Sequence, residues 1–147
     1  MLNKFFSIVK SNKVYFGEKD FQQLKIIEKF IQEKYEFLEI VSVPTKRNEE
    51  GIAYSSRNEK LSKKQFQDFV SFHQKVENFL KSLKKSLDIE IANKKAKYFI
   101  AEKDIEQLDY FEFRNNDDLS FNGLVSESRL FYAIYKGKIR LIDNLKI

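Results

Sequence analysis

Two short segments of the sequence carry residue types that bind phosphate. Residues 15–24 read Tyr-Phe-Gly-Glu-Lys-Asp-Phe-Gln-Gln-Leu, a glycine turn that leads Lys19 into a helix. Residues 55–58 read Ser-Ser-Arg-Asn, in which two hydroxyls stand beside the guanidinium of Arg57. Phosphate oxygens bind backbone N–H groups at a helix start, the charge of lysine and the forked donors of arginine. Together the two segments predict a site that one triphosphate could occupy.

A segment of either kind, taken alone, more often has a structural role than a ligand-binding one. A glycine turn before an amphipathic helix is common, and a polar run such as 55–58 is typical of solvated loops. Their places along the chain favour function, because one follows a predicted strand and the other comes just past the next strand. Ligands of open α/β sheets bind at the carboxyl ends of the strands. Both segments therefore fall on the edge of the sheet where a ligand is expected.

The elements that hold the first segment form a strand–helix–strand unit. Residues 13–16 predict a short strand that ends at Gly17, where glycine permits a positive φ or a close backbone approach. Apolar residues recur at helical spacing over 21–31, and Asp20 favours the start of that helix. Residues 37–43 precede the only proline and predict a second strand. Because a parallel sheet needs more strands with both faces covered, we expect this unit to be the end of a larger α/β domain.

The remainder of the chain predicts a small α+β domain. Residues 45–58 are polar and predict a loop. Ser62 and Gln65 have the spacing of a capping box, and an apolar stripe that runs on to Leu87 predicts a long helix after them. The pattern then predicts a second helix and three strands, over 89–97, 108–113, 129–135 and 138–142. We expect helices packed on a small antiparallel sheet.

Composition excludes several function classes. The chain has no cysteine, so disulfides, zinc–thiolate sites and cysteine nucleophiles are excluded. His73 is the only histidine, and its place on the apolar stripe predicts packing rather than catalysis. No apolar run approaches the ~20 residues of a membrane span, and the N-terminus does not resemble a secretory signal. We therefore expect a cytoplasmic protein without a membrane partner.

A formal net charge of +5 suits anionic small molecules and nucleic acid about equally. The lysine pairs that begin at residues 63, 84 and 94 are spread over two helices and a turn. The aromatic residues fall mostly on the buried stripes, whereas a nucleic-acid site needs exposed aromatics within one basic patch. The sequence therefore favours a small anionic ligand over nucleic acid.

The motifs resemble those of one enzyme family, pantothenate synthetase (pantoate–β-alanine ligase). Residues 16–23 are similar to its Phe-Gly-Glu-Lys-Asp-Tyr-Gln-Gln signature. Its second signature and its closing strands are matched, in order, by residues 43–47, 51–58, 108–112 and 139–144. The resemblance covers nearly the whole of this chain and the C-terminal half of the family chain.

The resemblance implies a fold and a reaction. Residues 1–45 would be the C-terminal remnant of a Rossmann-like nucleotidylyltransferase domain, an α/β fragment that ends in strand–helix–strand. Residues 46–147 would be the family's C-terminal lid domain. Family enzymes activate the carboxylate of pantoate with ATP and Mg²⁺, which gives a pantoyl adenylate and pyrophosphate. The amine of β-alanine then attacks the adenylate to give pantothenate and AMP.

The resemblance also implies the site residues. Lys19 and Arg57 would be the catalytic cations on the phosphates, where fixed positive charge stabilises the charge that adenylation builds, and Gln23 would bind pantoate. The rest of the implied ATP site has three parts. Ser55 and Ser56 would donate hydrogen bonds, Gly17 and Asp20 would line the adenosine, and Lys46 would contact adenine through its backbone. No protein side chain is implied as a metal ligand.

The chain departs from the family pattern in two respects. The family's His-x-Gly-His motif and a pantoate-binding glutamine belong to its first half and are not in this sequence, and Tyr54 stands where the family usually has methionine or leucine. Half of a composite site should catalyse poorly, because groups that act as a unit fail together. We therefore expect association with a missing N-terminal half or self-association, marginal stability of residues 1–45, and more independent folding of residues 60–147.

Two other functions stay open from the sequence. The first is a non-catalytic nucleotide-binding or interaction fragment that retains the lid domain without turnover. The second and weaker one is a basic nucleic-acid binder, which would show a steep dependence of affinity on salt.

Overall fold

A computed structural model of the chain describes residues 2–102 and 105–147. It divides into two compact units, Met1–Thr45 and Lys46–Ile147. Among the described residues, no helix is both long enough and apolar enough to cross a membrane.

The first unit is a strand–helix–strand with one further helix before it. Its helices and strands are α1 (Leu2–Ile8), β1 (Lys13–Gly17), α2 (Phe21–Lys34) and β2 (Glu39–Val43). A single 3₁₀ turn, Glu18–Asp20, joins β1 to α2. The two strands pair in parallel, in register from Lys13 opposite Glu39 to Gly17 opposite Val43. The predicted strand–helix–strand is therefore confirmed, whereas α1 was not predicted.

The second strand is shorter than predicted. The prediction began it at Phe37, but Leu38 N–H donates to the carbonyl of Tyr35 at 3.0 Å and closes a turn there. The side chain of Phe37 is 91% exposed. Apolar composition extended the predicted strand into this turn.

The strands of the first unit are poorly covered. Neither β1 nor β2 contains a buried residue, and Tyr15 and Val43 are 65% and 42% exposed. The buried apolar side chains of this unit lie on its two helices, at Phe6, Phe21, Leu24 and Ile31. Parallel strands are ordinarily covered on both faces, so this sheet displays apolar surface that its own unit leaves open.

The second unit packs two helices on a three-stranded antiparallel sheet. Its helices and strands are α3 (Lys63–Ser82), α4 (Ile89–Ala101), β3 (Gln107–Asn115), β4 (Ser128–Lys136) and β5 (Ile139–Lys146). The central strand β4 pairs with both neighbours. Gly137 adopts a φ of 60°, the left-handed region that the tight β4–β5 turn requires and that glycine tolerates. The predicted α+β arrangement of helices on an antiparallel sheet is present here.

The hydrophobic core of the second unit lies between α3, α4 and the sheet. Its largest fully buried apolar side chains include Tyr132, Phe113, Ile52, Ile89, Leu130 and Ile134. The capping box at the start of α3 is confirmed, since Ser62 Oγ accepts from the Gln65 backbone and Gln65 Oε1 accepts from the Ser62 backbone. The helix predicted on to Leu87 ends at Ser82, although Leu83 and Leu87 still pack against the core.

Candidate functional site

Gly17 ends β1 in an extended conformation. Its φ of −73° and ψ of 135° show that the positive φ considered for it is not adopted. A Cβ added there would meet no described atom within 4 Å. Space stays open above Gly17 among the described residues, and the close approach by a ligand stays a prediction.

The other predicted residues of the first segment lie at the start of α2. Lys19 is half-buried in the 3₁₀ turn, and Asp20 is exposed at the helix N-cap. The Asp20 side chain makes no capping hydrogen bond, so its support of the helix is electrostatic. Gln23 is exposed in the first turn of α2. The structure thus brings Gly17 and these three side chains to the carboxyl end of β1.

The second segment sits on an ordered loop, residues 46–58, rather than on a loosely solvated one. Arg47 pairs with Ala53 in an antiparallel bridge, and Tyr54 N–H donates to the carbonyl of Lys46 at 3.1 Å. Ile52 and Ala53 are only 2% and 4% exposed, so the base of the loop is part of the core. The loop projects its tip from a fixed base.

Ser55 and Ser56 border an open cleft of about 550 Å³ on the second unit. Its wall also includes Asn48, Ile52, Tyr54, Asn58, Glu59 and Phe66. Ser55 Oγ accepts a hydrogen bond of 3.2 Å from the backbone N–H of Arg57, which turns the chain sharply at the serines. Arg57 itself is exposed. Two hydroxyls and a guanidinium are thereby gathered on one short turn.

Lys46 lies at the opposite end of the same loop. Its ammonium is 5.7 Å from the centroid of the Tyr54 ring, a cation–π distance. The Lys46 side chain therefore has a partner inside the loop. The backbone contact to adenine implied for Lys46 stays a prediction.

Sequence reasoning missed the role of Arg47. Its Nη1 donates to Asp143 Oδ2 at 2.7 Å and to the Gly51 carbonyl at 2.9 Å. Its Nη2 donates to Asp143 Oδ1 at 3.0 Å and to the Asn144 carbonyl at 2.9 Å. Burial lowers the pKa of Arg47, but hydrogen bonding and attraction to Asp143 outweigh it, and the pKa lies above its usual value. The two partners are 96 residues apart, so no local spacing could have indicated the pair.

His73, Tyr132 and Asp143 form a buried group behind this ion pair. His73 Nδ1 lies 3.0 Å from the Tyr132 hydroxyl and 4.0 Å from Asp143 Oδ2. Burial raises the pKa of Tyr132 well above its usual value, and the negative charge of Asp143 raises it further. The histidine ring and the phenol are thus joined by one buried hydrogen bond beside the carboxylate of Asp143.

The other ring nitrogen of His73 faces the loop. Among the described residues, Nε2 has no hydrogen-bond partner, and it lies 3.7 Å from Glu77 Oε1. Burial lowers the pKa of His73, although the charges of Asp143 and Glu77 act in the opposite direction. Gly51 has a φ of 82°, and a Cβ there would stand 3.2 Å from Nε2. The predicted packing role of His73 is confirmed, because its side chain is fully buried.

The predicted site residues therefore form two sets, one on each unit. The first unit carries Gly17, Lys19, Asp20 and Gln23, and the second carries Lys46, Ser55, Ser56 and Arg57. Within the described ranges, no group of three or more His, Asp or Glu side chains could hold a metal ion. Apart from the Asp20 carboxylate and the Gln23 amide, the side-chain groups of the two sets are hydroxyls and cations, which suit an anionic ligand.

Comparison with known proteins identifies a family of ligases. A family model described as pantoate-beta-alanine ligase matches residues 1–146. The chain belongs to this family. It corresponds to the C-terminal half of the family chain.

Curated relatives match along the whole of this chain. A pantothenate synthetase of Clostridium botulinum is 35% identical over 146 residues, which are 98% of this chain and 52% of the relative. One from Aquifex aeolicus is 35% identical over 148 residues, with the same coverage of both chains. This chain thus spans about half the length of the curated relatives it matches.

Solved structures show the same fold. A pantothenate synthetase of Thermus thermophilus matches with a TM-score of 0.81 and 26% identity, over 99% of this chain and 53% of that one. A pantoate-beta-alanine ligase of Francisella tularensis, complexed with beta-gamma ATP and beta-alanine, matches with a TM-score of 0.67 and 27% identity. That match covers 99% of this chain and 47% of the other.

Proposed function

We propose that this chain contributes the C-terminal half of an ATP-dependent ligase that joins pantoate and β-alanine to give pantothenate. The observation that carries the proposal is the turn at 54–58, whose two serines border a single cleft beside an exposed arginine. Membership of the pantoate-beta-alanine ligase family supports it. The relative solved with beta-gamma ATP and beta-alanine supports ATP as the activating substrate.

The proposed reaction has two steps. The pantoate carboxylate forms a bond to the α-phosphorus of ATP while the α–β bridge bond breaks, and pyrophosphate leaves. The amine of β-alanine then attacks the carbonyl of the pantoyl adenylate, AMP leaves, and an amide forms as the amine loses its proton. Negative charge grows on the phosphates in the first step. Preorganised donors and cations stabilise that charge because they need not reorganise as it develops.

We assign the residues of this chain to the first step. Lys19 and Arg57 contact the phosphates, and Ser55 and Ser56 donate hydrogen bonds to phosphate oxygens. The open space above Gly17 and the exposed carboxylate of Asp20 suit adenosine, Lys46 contacts adenine through its backbone, and Gln23 binds pantoate. Mg²⁺ would be carried by the phosphate oxygens of ATP, since it is often bound mainly through substrate phosphates.

We further propose that the site is completed by residues that correspond to the other half of the relatives. The chain spans about half their length, and strands β1 and β2 are exposed as if further strands should pair with them or cover them. Those residues could belong to the same polypeptide or to a partner. The Rossmann-like character of residues 1–45 and the lid role of residues 46–147 are parts of this proposal.

Calorimetric titration with ATP tests the assignment. A hydrogen bond to a charged group contributes about 1.5–3 kcal/mol, so Arg57→Ala and Lys19→Ala should each weaken ATP binding roughly tenfold or more. Arg140→Ala and Lys29→Ala, which remove the same charges outside the proposed site, serve as matched controls. Equal affinity in all four variants would refute these roles.

A turnover assay with ATP, pantoate and β-alanine separates the enzyme from a non-catalytic module. Pantothenate formed only when a polypeptide equivalent to the relatives' other half is added would support a composite enzyme. Turnover by this chain alone would contradict the proposed incompleteness. ATP binding without turnover in either mixture would favour a nucleotide-binding or interaction module.

A further inference from the structure

The 46–58 loop contains two arginines, and charge alone would make both of them phosphate ligands. They differ in what their guanidinium groups contact. All four terminal N–H bonds of Arg47 point to oxygen atoms of the chain, two of them the carboxylate oxygens of Asp143. Arg57 is exposed at the tip of the loop. Arg47 could therefore donate a terminal N–H to a ligand only by breaking one of these four hydrogen bonds.

The partner of Arg47 is held rigidly. Asp143 lies on β5, its side chain is 1% exposed, and its Oδ1 also accepts from the backbone N–H of Asn144 at 2.8 Å. A two-pronged pair between arginine and carboxylate fixes orientation as well as distance. The Arg47–Asp143 pair, termed the clamp below, ties the start of the loop to the edge of the sheet.

Short hydrogen bonds carry this restraint along the loop towards its tip. Asn48 Oδ1 and the Asn48 carbonyl accept from the backbones of Ile52 and Gly51, at 2.8 and 3.0 Å. Beyond the tip, Asn58 Nδ2 donates to the Ala53 carbonyl at 2.9 Å. Residues 54–57 are thus a short span between two fixed points, Ala53 and Asn58.

We propose that the clamp is a positioning device for the phosphate-contacting turn, with Arg47 and Asp143 acting through the loop and not on the ligand. This inference rests on the proposed function, because it assigns the turn at 54–57 to phosphate. It adds two positioning residues to the site. The two arginines then have different roles: Arg57 contacts the phosphates, and Arg47 holds in place the loop that carries Arg57.

The sign of one substitution distinguishes positioning from a direct charge effect. Asp143→Asn removes a negative charge from the protein and releases the Arg47 guanidinium, so simple electrostatics would strengthen the binding of an anion. Positioning predicts the reverse, because the loop loses its anchor. A loop in its binding geometry for about one tenth of the time weakens apparent affinity about tenfold.

Hydrogen exchange of the full chain, read by mass spectrometry, reports loop order directly. Asp143→Asn and Arg47→Lys should both speed amide exchange within residues 46–58 by roughly tenfold or more, because a loop closed for about one tenth of the time is open for most of it, whereas the anchored loop is open only briefly. Asp109→Asn is the matched control: Asp109 accepts from Arg140 at 2.9 Å in another arginine–aspartate pair. It should leave exchange in the loop unchanged. If Asp143→Asn fails to fold, the double variant Arg47→Met/Asp143→Leu replaces both charges by apolar groups and takes its place.

Titration of the same variants with ATP completes the test. An ATP affinity about tenfold weaker in Asp143→Asn and Arg47→Lys, with faster loop exchange, supports the positioning role. Unchanged exchange in the loop overturns it, and so does equal or tighter ATP binding by Asp143→Asn. If the unsubstituted chain binds no ATP, the proposed function fails, and the exchange measurement still decides whether the clamp orders the loop.

Discussion

At the scale of single residues, the buried polar group of the second unit is arranged so that each charge has a partner. Arg47 and Asp143 neutralise each other, and the Tyr132 hydroxyl is hydrogen-bonded to His73 Nδ1. His73 is neutral because nothing nearby compensates the burial of its charged form fully. A protonated His73 would place a second positive charge beside Arg47. The group is therefore more stable when His73 is neutral than when it is protonated.

Acid should consequently destabilise the second unit through His73. Burial sets the pKa of His73 in the folded chain below the unfolded value of about 6.5, so the unfolded state binds more protons in the window between them. The free energy of unfolding should be constant above about pH 6.5 and should fall below it by up to ~1.4 kcal/mol per pH unit, until the folded pKa is reached. Urea unfolding of the full chain between pH 5 and 7.5 measures this slope.

His73→Gln is the comparison for that measurement, since it removes the titrating group from the chain's only histidine position. Its absolute stability is expected to change, so the comparison is of slopes and not of midpoints. A flat profile in the variant and a sloping one in the unsubstituted chain would support the account. Identical slopes in both would refute it.

The sequence indicated the local turns on which the proposed site residues stand, but not the residues that hold those turns in place. Lys19, Ser55 and Arg57 stand in motifs whose residue types indicate phosphate chemistry, and the structure places each beside a turn as expected. No role for Arg47 was predicted from the sequence. Only the pairing of loop and strand shows that its donors are already used. A contact over 96 residues depends on the tertiary fold, which local patterns do not encode.

At the scale of elements, start signals were easier to predict than stop signals. The start of α3 at Lys63 follows a capping box, a side-chain pattern with one local geometry. Its end had no such signal: the apolar stripe continues through Leu83 and Leu87, which pack on the core from outside the helix. The seven residues of α1, Leu2–Ile8, were missed because so short a helix has too few turns for periodicity to indicate it.

The capping box should contribute measurably to the stability of the second unit. Ser62→Ala removes the acceptor for the Gln65 backbone N–H, which then has no partner in the first turn of α3. We expect a loss of about 1 kcal/mol in the free energy of unfolding, measured by urea denaturation. Ser71→Ala, the same change at an exposed position within α3, is the control. It should be neutral or stabilise by up to ~0.5 kcal/mol, because alanine has the higher helix propensity. Equal effects of the two substitutions would contradict the role of the cap.

At the scale of the whole molecule, the two units differ in how much they bury. The described core cluster, which includes Phe69, Val76, Phe113 and Tyr132, lies in Lys46–Ile147. In Met1–Thr45 the buried apolar residues belong to helices, and both strands are exposed. Alternation and helical spacing predicted the elements of both units except α1. These patterns could not show which elements would be buried, because burial depends on every segment that packs against an element.

Residues 46–147 should therefore fold without residues 1–45. The fragment retains the sheet, both of its helices, and the clamp between Arg47 and Asp143. It should unfold cooperatively in urea, with circular dichroism that matches its share of the full chain. Residues 1–45 alone should show little stable structure, since chains of about 40 residues rarely bury enough surface to fold without added cross-links or partners.

The two fragments test this asymmetry together. Loss of cooperative unfolding in residues 46–147 would mean that the second unit depends on the first, and a cooperative transition in residues 1–45 would mean that its exposed strands need no cover. A polypeptide equivalent to the relatives' other half, added to the full chain, should then slow amide exchange in β1 and β2 and leave β4 unchanged. Protection at β1 and β2 would appear because parallel strands gain partners at their edge, whereas β4 already has a partner on each side.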